Sequence, residues 1–153
     1  MPKRSFFKIA ALLSLFAVTT ATATPIPASR IGLNANTVKS GNGYIVTIPK
    51  KAGIANQTIG LQFCPDRNMV AGKLVRFSAE IKYKNIASDA TGAHVGAKLL
   101  VSFKEHNRMK FFSTASLTGS CDEWKKYTLN VEMPSNPAVF SDLTFHIGIQ
   151  QDR

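Results

Sequence analysis

From Tyr44 onward, apolar and polar residues alternate along most of the chain, which is the two-residue period of half-buried strands. The clearest run spans 73–84. Val75, Phe77, Ala79, Ile81 and Tyr83 share one face, and Arg76, Ser78, Glu80, Lys82 and Lys84 share the other. A second run spans 94–103, with Val95, Ala97, Leu99, Val101 and Phe103 on one face and His94, Lys98, Leu100 and Ser102 opposite. Shorter strands are expected at 44–48, 58–63 and 109–117, where Phe111-Phe112 breaks the alternation. Strands at 124–133 and 143–150 follow; in the last, His146 and Gln150 face away from Phe145, Ile147 and Ile149. No stretch of comparable length carries a helical period beyond the N-terminus. Several strands separated by turn residues predict an all-β, antiparallel β-sandwich.

The N-terminus follows a different rule. Lys3, Arg4 and Lys8 precede an apolar run from Ile9 to Val18, and Ala21-Thr22-Ala23 supplies small residues after it. This order predicts a signal peptide over 1–23, cleaved near Ala23, and hence a secreted or periplasmic protein. The apolar run is shorter than the roughly 20 residues that cross a bilayer, so no transmembrane anchor is expected. An irregular lead-in follows over 24–43, rich in Pro, Ala, Ser, Asn and Gly, and the sandwich domain occupies 44–153. The remaining length of about 130 residues suits one domain with a substantial core.

Charge and cysteine narrow the setting. The chain carries 19 Lys and Arg against 9 Asp and Glu, spread along its length. A spread positive charge favours anionic surfaces, acidic polysaccharide among them, without naming a ligand. In an exported chain the two cysteines, Cys64 and Cys121, are expected to form a disulfide, the alternative being a catalytic thiol.

Catalytic and metal signatures are sparse. His94, His106 and His146 are widely spaced, no Cys-x-x-Cys or acidic calcium loop is present, and there is no G-x-S-x-G elbow. No catalytic, metal or cofactor residues are assigned. Glycoside hydrolysis needs two carboxylates close together, for which Glu80 with Glu132 or Asp142 is the available pairing. Nucleic acid is not an expected partner, because the aromatic residues fall mostly at inward positions rather than interleaved with cations.

The outward strand faces do carry side chains that recognise sugars: forked hydrogen-bonding groups and aromatic rings. Arg76, Glu80, His94, Lys98, His146 and Gln150, with Trp124 nearby in sequence, form the candidate ligand-binding set, and Phe111 and Phe112 lie close in sequence too.

Three segments extend this reading. They are Gly72-Lys73-Leu74-Val75-Arg76-Phe77-Ser78-Ala79-Glu80-Ile81-Lys82, then Leu117-Thr118-Gly119-Ser120-Cys121-Asp122-Glu123-Trp124-Lys125-Lys126-Tyr127, and Val131-Glu132-Met133-Pro134 followed by Leu143 to Gln150. Together they resemble the β-sandwich carbohydrate-binding modules of secreted bacterial glycoside hydrolases, with their galactose-binding-domain-like jelly roll. The resemblance implies a non-catalytic module, expected as a monomer, that binds a polysaccharide or cell-wall glycan. Members of that family continue with a closing strand that helps hold a structural calcium, and the chain stops before it, which puts calcium in doubt. The chain ends directly after a strand whose pattern looks central, so either the domain is complete with an exposed edge strand or the chain is a piece of a longer protein. Two other functions stay open: an interaction domain for a protein or anionic surface, and a small polysaccharide lyase or hydrolase.

Overall fold

A computed structural model describes residues 6–10, 16–18, 23–26, 31–33, 37–47, 58–86 and 96–150. Among the described residues twelve strands follow one another: β1 (Phe6–Ala10), β2 (Phe16–Val18), β3 (Ala23–Pro25), β4 (Ile31–Leu33), β5 (Thr37–Ser40), β6 (Gly43–Thr47), β7 (Thr58–Phe63), β8 (Leu74–Ile86), β9 (Gly96–Glu105), β10 (Arg108–Ser113), β11 (Gly119–Glu132) and β12 (Phe140–Gln150). A single-turn helix, α1 (Arg67–Val70), links β7 to β8, and a 3₁₀ turn at Pro137–Val139 leads into β12.

The strands make two antiparallel sheets, so the chain is an all-β sandwich. The first sheet runs β3-β2-β8-β1-β6-β5, with β11 on the other edge of β8. The second runs β10-β9-β12-β7-β4. The alternation along β8 and β9 translates directly into packing. Val75, Phe77, Ala79 and Ile81 from β8 are buried against Ala97, Leu99, Val101 and Phe103 from β9 and Phe145, Ile147 and Ile149 from β12. Phe77 ties the sheets together, meeting Phe145 edge-on at 5.1 Å between ring centroids and Phe63 at 6.4 Å. Edge-to-face contacts of this kind add to the area term of burial.

Part of the expected leader is in the sheet. β1 lies between β8 and β6, with Phe6 opposite both Lys84 and Thr47. β2 pairs with the start of β8, Phe16 opposite Arg76 and Val18 opposite Leu74. The β5–β6 hairpin therefore joins the first sheet through β1.

Two local devices set the registers that matter below. His106 and Asn107 both have positive φ, 48° and 63°, and together form the two-residue connection between Glu105 of β9 and Arg108 of β10. Positive φ at both positions is the type I′ hairpin geometry that matches strand twist. In β11 the register slips between Gly119 and Cys121 and again between Cys121 and Lys125, so Trp124 sits in a bulged stretch.

The expected disulfide is not formed: among the described residues neither Cys64 nor Cys121 is bridged. Cys64 follows Phe63, which touches Phe77, whereas Cys121 lies opposite Tyr83. Six residues of extended strand between Phe77 and Tyr83 amount to about 20 Å, far beyond the roughly 7 Å between Cα atoms that a bridge can span.

Candidate functional site

The residues proposed from the strand pattern do not converge. Arg76 and Glu80 are exposed on the outer face of the first sheet. Trp124 is 43% exposed at the β11 edge of that sheet, with the Lys82 ammonium 5.0 Å from its ring centroid. That cation occupies one face of the indole. Lys98 and His146 belong instead to the outer face of the second sheet, Lys98 opposite Gly148 and His146 between Leu100 and Gln62. Two sheets of a sandwich, about 10 Å apart, separate the two groups. His94 lies outside the described residues. Gln150 is placed by its backbone, opposite Gly96 and Thr58 at the end of β12.

Lys98 and His146 are also less available than an outward position suggests. Lys98 is buried, at 3% exposure, and desolvation holds its ammonium below the usual lysine range. Desolvation likewise lowers the His146 imidazole. Both groups resist carrying charge where they sit.

The carboxylate pairing fails on distance. Glu132 pairs with Leu74, six residues before Glu80 on β8, which places Glu80 about 20 Å away along the strand. Glycosidases hold their two carboxyl groups roughly 5–9.5 Å apart. Asp142 lies in the second sheet, ion-paired with Lys104 at 2.8 Å.

A different set of residues does converge, at the edge where β10 of one sheet approaches β11 of the other. A cavity of about 450 Å³ opens there, within the size range of small-ligand sites. Its apolar wall is Phe103 and Phe112, stacked with centroids 5.8 Å apart and planes 18° from parallel. The register fixed by the His106-Asn107 turn puts Phe112 opposite Val101, on the inner side of β10, where it can reach Phe103. Phe103 is buried and also meets Phe140 edge-on at 5.7 Å. Phe112 is 37% exposed and so presents ring surface to solvent.

The polar lining comes from three separate pieces of chain. Glu105 ends β9, Lys110 lies on β10, and Glu132 ends β11 just before Met133, Pro134 and Ser135. Lys110 is 3.7 Å from Glu105, a partly exposed pair of little energetic weight, and both residues line the cavity. The floor is held by backbone pairing: Gly72 N–H donates to the Pro134 carbonyl at 2.9 Å and Met133 N–H to the Lys73 carbonyl at 3.0 Å. Gly72 has φ +69°, and an added Cβ would stand 3.5 Å from Ser135 Cα; the obstacle to a larger residue is therefore the backbone angle more than space.

Of these residues the sequence had placed Phe103 inward, noted Phe112 at a break in alternation and close in sequence to the sugar-binding set, paired Glu132 with Glu80, and put Gly72, Met133 and Pro134 in the segments that carry the resemblance. Glu105, Lys110 and Ser135 carried no signal, because nothing local announces that β10 and β11 meet. Among the described residues, no group of three or more His, Cys, Asp or Glu side chains comes together as a metal site, and no helix is long and apolar enough to cross a membrane.

Comparison of the chain with protein-family models, with curated proteins and with solved structures finds no match.

Proposed function

We propose that the protein is an exported, non-catalytic carbohydrate-binding module whose site is the open cavity at the β10–β11 edge. One observation carries the reading: a half-exposed ring, Phe112, braced on Phe103 and facing a cavity that also holds Glu105, Lys110 and Glu132. A pyranose has an apolar C–H face and a rim of hydroxyls. It needs an aromatic surface on one side and hydrogen-bond acceptors and donors around it, and the lining of Phe112, Glu105, Lys110 and Glu132 is of that kind. The bracing matters because a ring already held in place loses little rotamer freedom when a sugar stacks on it.

Export rests on the charged, apolar and small-residue order of 1–23, with cleavage near Ala23. Its structural consequence is large, since cleavage there takes β1 and β2 away from β8. Loss of residues 1–23 removes Lys3, Arg4 and Lys8 and no acid, and the remaining excess of 16 Lys and Arg over 9 Asp and Glu favours acidic polysaccharides among the candidates, as a long-range attraction rather than a contact.

Pull-down on insoluble polysaccharides at low and high salt tests the reading. A glycan site predicts retention that survives high salt and is competed by soluble oligosaccharide of the same type. Retention abolished by modest salt on every polysaccharide would mean that charge alone was responsible.

A further inference from the structure

We propose a second sugar platform on the opposite side of β10, built on Phe111, so that the protein takes an extended glycan chain across the β10 edge rather than one sugar or a chain end. The inference rests on the glycan reading of the Phe112 cavity and extends it to a second subsite.

Successive strand residues point to opposite faces. Phe112 faces the cavity, so Phe111 faces outward, opposite Ser102 on β9. Phe111 is 63% exposed, and Met109, on the same side of the strand, is 44% exposed. All six residues of β10 are exposed, and β10 ends the order of its sheet. A hairpin turn that fixes the strand register thus holds a phenyl ring in water, where burial would be worth roughly 1.5–3 kcal/mol. Phe111 and Met109 together display apolar surface that a docked ligand can cover.

The surroundings suit a sugar better than an apolar partner. Thr144 lies opposite Ser102 in the same outward row, and its hydroxyl donates to the Asp142 carbonyl at 3.2 Å, leaving its oxygen free to accept. Beyond it, Lys104 and Asp142 form an ion pair exposed at both ends, with Lys104 opposite Met109. The two rings face opposite ways from one edge strand, so a chain of several linked sugars reaches both only by turning around the β10 edge.

The test is calorimetric titration of the full chain with cellohexaose, xylohexaose, laminarihexaose and the acidic hexagalacturonate, each beside its disaccharide. For the hexaose that binds, the expected result is affinity at least about tenfold above that of its disaccharide. Phe111→Ala should bring the hexaose down to the disaccharide level and leave the disaccharide unchanged. Its melting temperature should hold, because the ring is exposed. If hexaose and disaccharide bind alike, or Phe111→Ala leaves the hexaose intact while Phe112→Ala abolishes it, the second platform is wrong and the cavity reading stands. If no hexaose binds the unmodified chain, both fail. If Phe111→Ala instead splits a dimer in sedimentation, the ring serves a second copy of the chain and the platform is overturned.

Discussion

The ring of Phe112 lies nearly parallel to that of Phe103, at 5.8 Å between centroids, and the two join the exposed edge of one sheet to the interior of the sandwich. Phe103 is 2% exposed and Phe112 37%, so one ring anchors and the other is displayed. Replacing Phe112 with Ala should weaken glycan binding by about tenfold or more, roughly 1.4 kcal/mol, with a smaller loss of stability than a core Phe→Ala, which costs about 3–5 kcal/mol. Phe112→Tyr should keep most of the affinity. Isothermal titration together with thermal melts separates the two effects; equal binding by Phe112→Ala would remove the ring from the site.

The hairpin turn positions that ring. His106 and Asn107 both hold positive φ, a conformation that costs side-chain-bearing residues more than glycine. Substituting Asn-Gly at these two positions should therefore raise stability by about 0.5–2 kcal/mol while glycan affinity stays the same. A chemical denaturation midpoint reads the first and titration the second. A lower midpoint would mean that the turn is not of this type.

His146 should make the protein sensitive to acid. Desolvation lowers its pKa below the ordinary imidazole value of about 6.5. Between the two values the unfolded chain binds more protons than the folded one. Stability is therefore fully present above about pH 6.5 and declines as pH falls toward the lowered value, levelling off below it. His146→Gln should flatten that stretch of a stability-versus-pH curve. An unchanged slope in the variant would assign the effect elsewhere.

Strand existence and facing were legible in the sequence because alternation reports them residue by residue. β8 was expected at 73–84 and spans Leu74–Ile86; β7 was expected at 58–63 and is found there. Alternation says whether a side chain faces the core, but not which sheet carries it. Arg76 and His146 both read as outward, and they lie on opposite sides of the molecule. The cavity was hidden for a related reason. Glu105, Lys110 and Glu132 line one cavity only because β10 of one sheet approaches β11 of the other, a relation no local window contains. The cysteine pairing failed likewise: even parity and export say nothing about the distance between Phe63 and Tyr83.

Both thiols should titrate in protein denatured without reductant, and reductant should leave the melting temperature where it was. Non-reducing mass spectrometry checks the same point. A mass short by two hydrogens would show that Cys64 and Cys121 pair after all.

The N-terminal strands predict a pattern of hydrogen exchange. In the full chain, amides of 6–10 should be protected, since β1 is paired on both sides, by β8 and β6. A chain starting at Thr24 should lose that partner and melt lower. Exchange at 6–10 as fast as in an unstructured peptide would contradict the pairing.

The location of the glycan site is the central claim, and a backbone-amide NMR titration with the hexaose that binds tests it most directly. The predicted result is saturable shifts clustered on Gly72, Phe103 to Ser113 and Glu132 to Ser135. Shifts centred instead on Arg76, Glu80 and Trp124, or on Lys98 and His146, would contradict it.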